Sequence, residues 1–174
     1  METTINKKTS GEDRGSTVGE TQFDVIDEMD GRYLTFWSDN QIFGIPISNV
    51  QQIVGIEKIT AVPQFPEYAK GIINLRGSII PIIDVRLRFH KQEIPYNERT
   101  CIIVTNIRDN LVGLVVDAVD EVTMIEDENI ANPPKASHDD AYGYLTGIAK
   151  IKNRVILLLN AEKIFYNDEI KEMA

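Results

Sequence analysis

Two histidines, one cysteine and a few carboxylates that close apolar runs are the residues with chemistry to offer in this chain of 174. His90 and His138 lie far apart, and neither has a second ligand at the spacing a metal site uses. Cys101 stands alone, which excludes an internal disulfide and a thiolate cluster. It opens the apolar run Cys101–Val104 and reads as a small core residue. Asp139-Asp140 resembles a phosphoacceptor pair, but Pro133-Pro134 and the residues up to His138 make it a solvated loop. Asp84 and Asp117 each end an apolar run. Two such carboxylates would serve an enzyme as an acid–base pair, whereas an Asp in that place commonly caps the turn that follows. The phosphate-binding loop, the dinucleotide fingerprint, His-Glu-x-x-His and Gly-x-Ser-x-Gly are all missing. Catalysis, cofactor and metal are therefore not expected. Arg76, in Asn74-Leu75-Arg76-Gly77, sits beside a tight turn. It either pairs internally to fix that turn or meets a partner, since Arg is enriched at interfaces.

Composition narrows the partners. The net charge is −9 and the pI near 4.7, so phosphate backbones and acidic lipid headgroups are repelled. Neither nucleic acid nor direct membrane insertion is expected. No apolar run approaches the roughly 18–20 residues of a membrane helix, and Met1 to Lys8 lacks the apolar centre of a signal peptide. A soluble, cytoplasmic protein is the expectation.

The elements that must position these residues are strands. Residues 1–30 are polar and read as a flexible tail, with at most a short helix at Phe23–Met29. From Arg32 onward, β-formers flank four short turns: Asp39-Asn40, Arg76-Gly77, Arg108-Asp109-Asn110 and Lys152-Asn153. Ile47–Gln52 has the spacing of one or two helical turns, and Ala161–Met173 that of a short helix. Cys101–Val104, Val155–Leu159 and, apart from Pro81, Ile79–Ile83 are apolar at every position, so both faces of these strands are covered. The connections are too short for parallel crossovers, which predicts antiparallel sheets. The pattern also repeats. The interval Gly71 to Asp84 equals Gly147 to Asn160, and Gly44 to Val50 equals Gly113 to Val119. Two β units of about 60 residues, each too small to be stable alone, pair their apolar walls with approximate two-fold symmetry.

Asn-Leu-Arg-Gly followed by Ile-Ile-Pro-Ile-Ile-Asp-Val-Arg (Asn74 to Arg86), led by Lys70-Gly71-Ile72-Ile73, resembles the signature of the CheW family of bacterial chemotaxis coupling proteins. Phe43-Gly44-Ile45-Pro46 with Val50-Gln51-Gln52-Ile53 resembles the family's first barrel. Leu111 to Asp117 and Tyr144 to Gly147 resemble its second. The resemblance implies an all-β fold: two intertwined, five-stranded SH3-like β-barrel subdomains around a shared hydrophobic core, with short helices, over residues 31–166. Residues 167–174 form a C-terminal tail. It implies a non-enzymatic, single-domain adaptor that couples transmembrane chemoreceptors to the histidine kinase CheA and is recruited to receptor arrays from the cytoplasm. Val50, Gln52, Gly71, Arg76, Val119 and Val122 are then expected at the groove that takes the receptor tip. Ile56 and Glu57 are expected at the barrel edge that takes the regulatory domain of the kinase. Many relatives carry Glu where this chain has Gln52, so a salt bridge there gives way to a hydrogen bond. The runner-up is a double barrel that binds a small ligand in the cleft between its barrels.

Overall fold

The computed structural model describes residues 30–134 and 141–165. The expected tails (all but Asp30 of the first), the Phe23–Met29 helix, His138 and Asp139-Asp140 lie outside the described residues, as does most of the expected C-terminal helix.

The first hairpin is β1 (Arg32–Ser38) and β2 (Gln41–Pro46), followed by β3 (Val50–Gly55). A second hairpin joins β4 (Ala69–Leu75) to β5 (Ser78–Asp84) and leads into α1 (Val85–Arg88). The order then recurs. The hairpin of β6 (Cys101–Ile107) and β7 (Asn110–Val116) is followed by β8 (Ala118–Met124) and the two-residue β9 (Ile130–Ala131). The hairpin of β10 (Leu145–Ile151) and β11 (Arg154–Leu159) leads into α2 (Ala161–Phe165). Three of the hairpin turns hold residues at positive φ on both central positions: Asp39 and Asn40, Arg76 and Gly77, Arg108 and Asp109. That backbone twist matches the twist of the strands it joins.

The repeat is real, and its halves exchange strands. One sheet runs β3-β6-β7-β5-β4 and the other β8-β1-β2-β11-β10-β9. Replacing each strand by its repeat counterpart turns the first order into the second, apart from β9. Each sheet thus takes its central hairpin from one repeat and its flanking strands from the other. The expected five strands per barrel become six on one side only because the chain after β8 pairs with β10 for two residues. The same junction in the other sheet is a single bridge, Thr60 to Ile72.

Antiparallel pairing throughout was the expectation, and here the structure corrects it. β5 pairs parallel with β7, and β11 pairs parallel with β2. Short connections constrain only neighbours in sequence, and these partners are joined by long stretches of chain. Gly113 and Gly44 lie at the two parallel junctions, opposite Ile82 and Leu158. A Cβ on Gly113 would lie 2.5 Å from Ile82 Cδ1, and one on Gly44 would lie 3.0 Å from Leu158 Cδ2. These glycines let the exchanged strands pack closely.

Alternation then sorts the side chains. On β6, Ile102 and Val104 fill the interior of their own sheet while Ile103 and Ile107 enter the shared core. On β11, Ile156 and Leu158 point inward and Leu159 enters the shared core. The shared core draws on both sheets, from Leu34, Phe36 and Phe43 to Ile83, Leu114 and Val116. Three expectations are corrected in detail. Ile79 and Val155 are exposed because they follow hairpin turns and have no neighbouring sheet to cover them. Cys101 is half-buried, with its thiol 3.0 Å from the Arg99 carbonyl. The helical reading of Ile47–Gln52 reduces to one 3-10 turn at Ile47–Asn49, since β3 pairs with β6 from Val50 onward.

Gly113→Ala is expected to destabilise the protein by about 1–3 kcal/mol through overpacking against Ile82 and Ile102. Urea unfolding checks this, and an unchanged midpoint would show that the junction has slack.

Candidate functional site

β3 and β8 are the outermost long strands at one end of each sheet order, and each pairs with a single neighbour. Both ladders carry a bulge in the same place: between Val50 and Gln52 against β6, and beside Val119 against β1. Val50 and Val119 are repeat counterparts, half-buried, and both pack against the shared core. Ile53 and Val122 are also counterparts, and they stand out at 44% and 51% exposed. Gln52 is half-buried between them on β3. Two edges therefore present the same pattern, an inner valine rooted in the core and an outer aliphatic side chain in solvent. Ile56 and Glu57 are exposed just beyond β3.

The structure brings Val50 and Val119 to one core but sets Gly71 and Arg76 apart. Gly71 is buried at a bulge in β4, at φ +139. A Cβ there would lie 2.0 Å from the Thr60 carbonyl oxygen. The bridge that closes the sheet, Thr60 N to Ile72 O at 2.8 Å and Ile72 N to Thr60 O at 2.9 Å, needs that space. Gly71 thus acts on shape. Arg76 occupies the β4–β5 turn at φ +52, exposed, and forms no ion pair among the described residues. The turn is held by Asn74 Oδ1, which accepts from Gly77 N at 3.0 Å. The internal ion-pair reading of Arg76 has no partner among those residues, and the guanidinium faces solvent.

The carboxylates weighed for catalysis are already engaged. Asp84 caps α1, accepting from Arg86 N at 2.9 Å, while Tyr96 donates its hydroxyl to the other oxygen at 2.8 Å. Burial raises the Asp84 pKa, against the lowering effect of those bonds. Burial, then the adjacent Asp84, pushes the Tyr96 hydroxyl far up, which keeps it a donor. Asp117 receives Arg86 Nε at 2.9 Å and Nη2 at 2.7 Å, and also accepts from Asp39 N at 2.9 Å. Arg86 reaches Asp39 as well, so it ties the β1–β2 turn to the start of β8. A second cluster joins Asp120 to Arg154 and to the buried Thr35 hydroxyl, 2.8 Å away. Desolvation alone would raise the Asp120 pKa, but the hydrogen bonds from Arg154 and Thr35 outweigh it and hold the carboxyl below its ordinary value. Both clusters are positioning devices for β8.

Sequence reasoning missed the exposure of Ile53, which it placed only within the Val50–Ile53 segment, and of Ile79 and Val155, which begin runs read as covered on both faces. The last two are repeat counterparts, exposed at 58% and 48%. Their place right after a hairpin turn was the available signal. Paired substitutions separate shape from contact. Gly71→Ala is expected to cost about 3 kcal/mol, because the residue is strained and meets backbone. Arg76→Ala is expected to stay within about 0.5 kcal/mol of the parent. Thermal melting checks both, and a large loss for Arg76→Ala would restore the internal-pair reading.

The chain was then compared with known proteins. The family model for the CheW-like domain matches residues 32–169. The chain is 38% identical over 138 residues to the chemotaxis protein CheW of Klebsiella aerogenes, covering 79% of this chain and 83% of that protein. It is 32% identical over 136 residues to the chemotaxis protein CheW of Rhizobium meliloti, covering 78% and 88%. The crystal structure of the scaffolding protein TtCheW from Thermoanaerobacter tengcongensis superposes with a TM-score of 0.73 at 32% identity, covering 80% of this chain and 90% of that one. With the strand order, the exchanged halves and the Asn74–Arg86 signature in place, these matches mean that the chain belongs to the CheW-like family, a family of scaffold proteins rather than enzymes.

Proposed function

We propose that this protein is an adaptor of bacterial chemosensory signalling, joining the cytoplasmic tips of chemoreceptors to the histidine kinase CheA. The observation that carries the reading is the pair of edge strands, β3 and β8, each with an exposed aliphatic residue beside a valine set into one common core. A scaffold needs two gripping surfaces in a fixed relation, and no proton transfer. A receptor tip is a helical hairpin, and an amphipathic helix seats its apolar face in an apolar groove. Val50, Gln52, Val119 and Val122 form the receptor surface in this reading; Arg76, exposed on the β4–β5 turn, is a separate contact, and Gly71 keeps β4 closed on Thr60. Gln52 offers an amide, so its contact is a neutral hydrogen bond, weaker than one made by a carboxylate. Ile56 and Glu57 belong to the surface for the kinase regulatory domain.

Joining receptor and kinase raises their effective concentration without any motion in the adaptor. Control of the kinase needs a further term, a difference in contact free energy between receptor states. The protein works in the cytoplasm and reaches the membrane only through the receptors. No described helix is long and apolar enough to cross a membrane.

Reconstitution tests the reading. Adding the protein to CheA and receptor tips is expected to bring all three into one sedimenting complex and to change kinase autophosphorylation only when receptor is present. Val122→Asp, on an exposed position, is expected to weaken co-sedimentation with receptor by more than about tenfold while leaving the fold intact. Absence of both co-sedimentation and a change in kinase rate would overturn the proposal.

A further inference from the structure

We infer a second binding site, for a small carboxylic acid with a flat apolar body, in the cavity of about 390 Å³ lined by Trp37, Asn40, Ile94, Asn97, Arg99 and Asp117. The volume falls within the range of small-molecule sites, about 300–1,000 Å³. The cavity lies at a seam. Trp37 is the penultimate residue of β1, Asn40 sits in the turn between β1 and β2, and Asp117 links β7 of the five-stranded sheet to β8 of the six-stranded one. Ile94, Asn97 and Arg99 come from the segment that leads into β6 of the five-stranded sheet.

The lining has one unmet charge. Asp117 is saturated by Arg86 and by Asp39 N, so it does not call for a cation. Arg99 is exposed and forms no ion pair among the described residues. Its backbone is fixed, because Arg99 N donates to Asn97 Oδ1 at 2.8 Å and Asn97 N donates to Thr100 Oγ1 at 2.9 Å. The guanidinium thus springs from an ordered turn at the rim. A planar donor fork of this kind suits a carboxylate, which it can bind with two parallel hydrogen bonds.

The apolar wall is the ring of Trp37, partly exposed on the cavity, together with Ile94. An aromatic face beside an aliphatic side chain favours a flat or branched apolar body. Asn40 and Asn97 add carboxamides for a second polar group.

Trp37 is the single tryptophan of the chain, so its fluorescence reports on this site directly. The experiment titrates the full chain with benzoate and phenylacetate, whose weak ultraviolet absorption limits interference, and with neutral benzamide as control. Proton-detected NMR of the ligands provides a second readout. The expected result is saturable one-to-one binding of the acids and binding of benzamide weaker by about tenfold, the loss of one charge-assisted contact. Arg99→Gln is expected to weaken the acids by a similar factor, and Arg99→Lys to restore part of the loss. Circular dichroism confirms that both variants fold. Failure of the acids to saturate, equal binding of benzamide, or indifference to Arg99→Gln would each overturn the inference. The assay contains no receptor or kinase, so its outcome is independent of the adaptor reading.

Discussion

Each sheet of this protein is completed by strands of the other repeat, and the remaining features depend on that exchange. The parallel junctions β5–β7 and β2–β11 are where it happens, and Gly113 and Gly44 keep them tight. A unit of about 60 residues buries too little apolar surface to stand alone. Here neither sheet exists without both halves of the chain, so the two small interiors and the larger shared core form together. β3 and β8 are consequently tied to the same core through Val50 and Val119. Two edges built this way keep their relative position when one is loaded. That is the mechanical property the proposed adaptor function requires.

The symmetry has a pin. Asp84 N donates to the Tyr68 carbonyl at 2.9 Å, and its counterpart Asn160 N donates to the Tyr144 carbonyl at 2.7 Å. Arg88, only 2% exposed, lies between the rings of these equivalent tyrosines, 4.1 Å and 4.6 Å from their centroids. Its Nε donates to the carbonyl of Ile164, the residue that holds the position of Arg88 in the second repeat. One side chain cannot occupy a two-fold position twice, so the repeats diverge here into a cation and an aliphatic residue. Burying a guanidinium is costly. Two aromatic faces and a carbonyl offset part of that cost, although Nη2 finds no hydrogen-bond partner among the described residues. The gain is a direct link between α1 and α2, the two elements that close the shared core.

Much of the architecture was legible in the residues because its causes are local. Hairpin turns are written in Asp-Asn and Arg-Gly pairs, and the repeat in the equal spacing of Gly71, Asp84, Gly147 and Asn160. Doubly covered strands are written in unbroken apolar runs. Intertwined barrels came only from the family resemblance, and which strands are exchanged was not legible, since nothing in a local pattern says which hairpin fills which sheet. The parallel pairs followed the same blindness. Of the expected site, Val50 and Val119 came from the family resemblance, and their equivalence in the repeat agrees with their common place against the shared core. The structural character of Gly71 could not be read, because the Thr60 backbone that excludes a side chain lies across a long loop. The Arg88 clamp was equally hidden: in Val85-Arg86-Leu87-Arg88-Phe89 nothing distinguishes the second arginine from the first until two distant tyrosines close over it.

Native-state hydrogen exchange tests the interlocked fold most directly, because it resolves the stability of each sheet within one molecule. The slowest amides of β5 and β7 and those of β2 and β11 are predicted to open with the same free energy, within about 1 kcal/mol, and to shift together with denaturant. If one sheet instead opened several kcal/mol more easily while the other stayed protected, the barrels would be separable units, and the fixed relation between β3 and β8 would be contradicted.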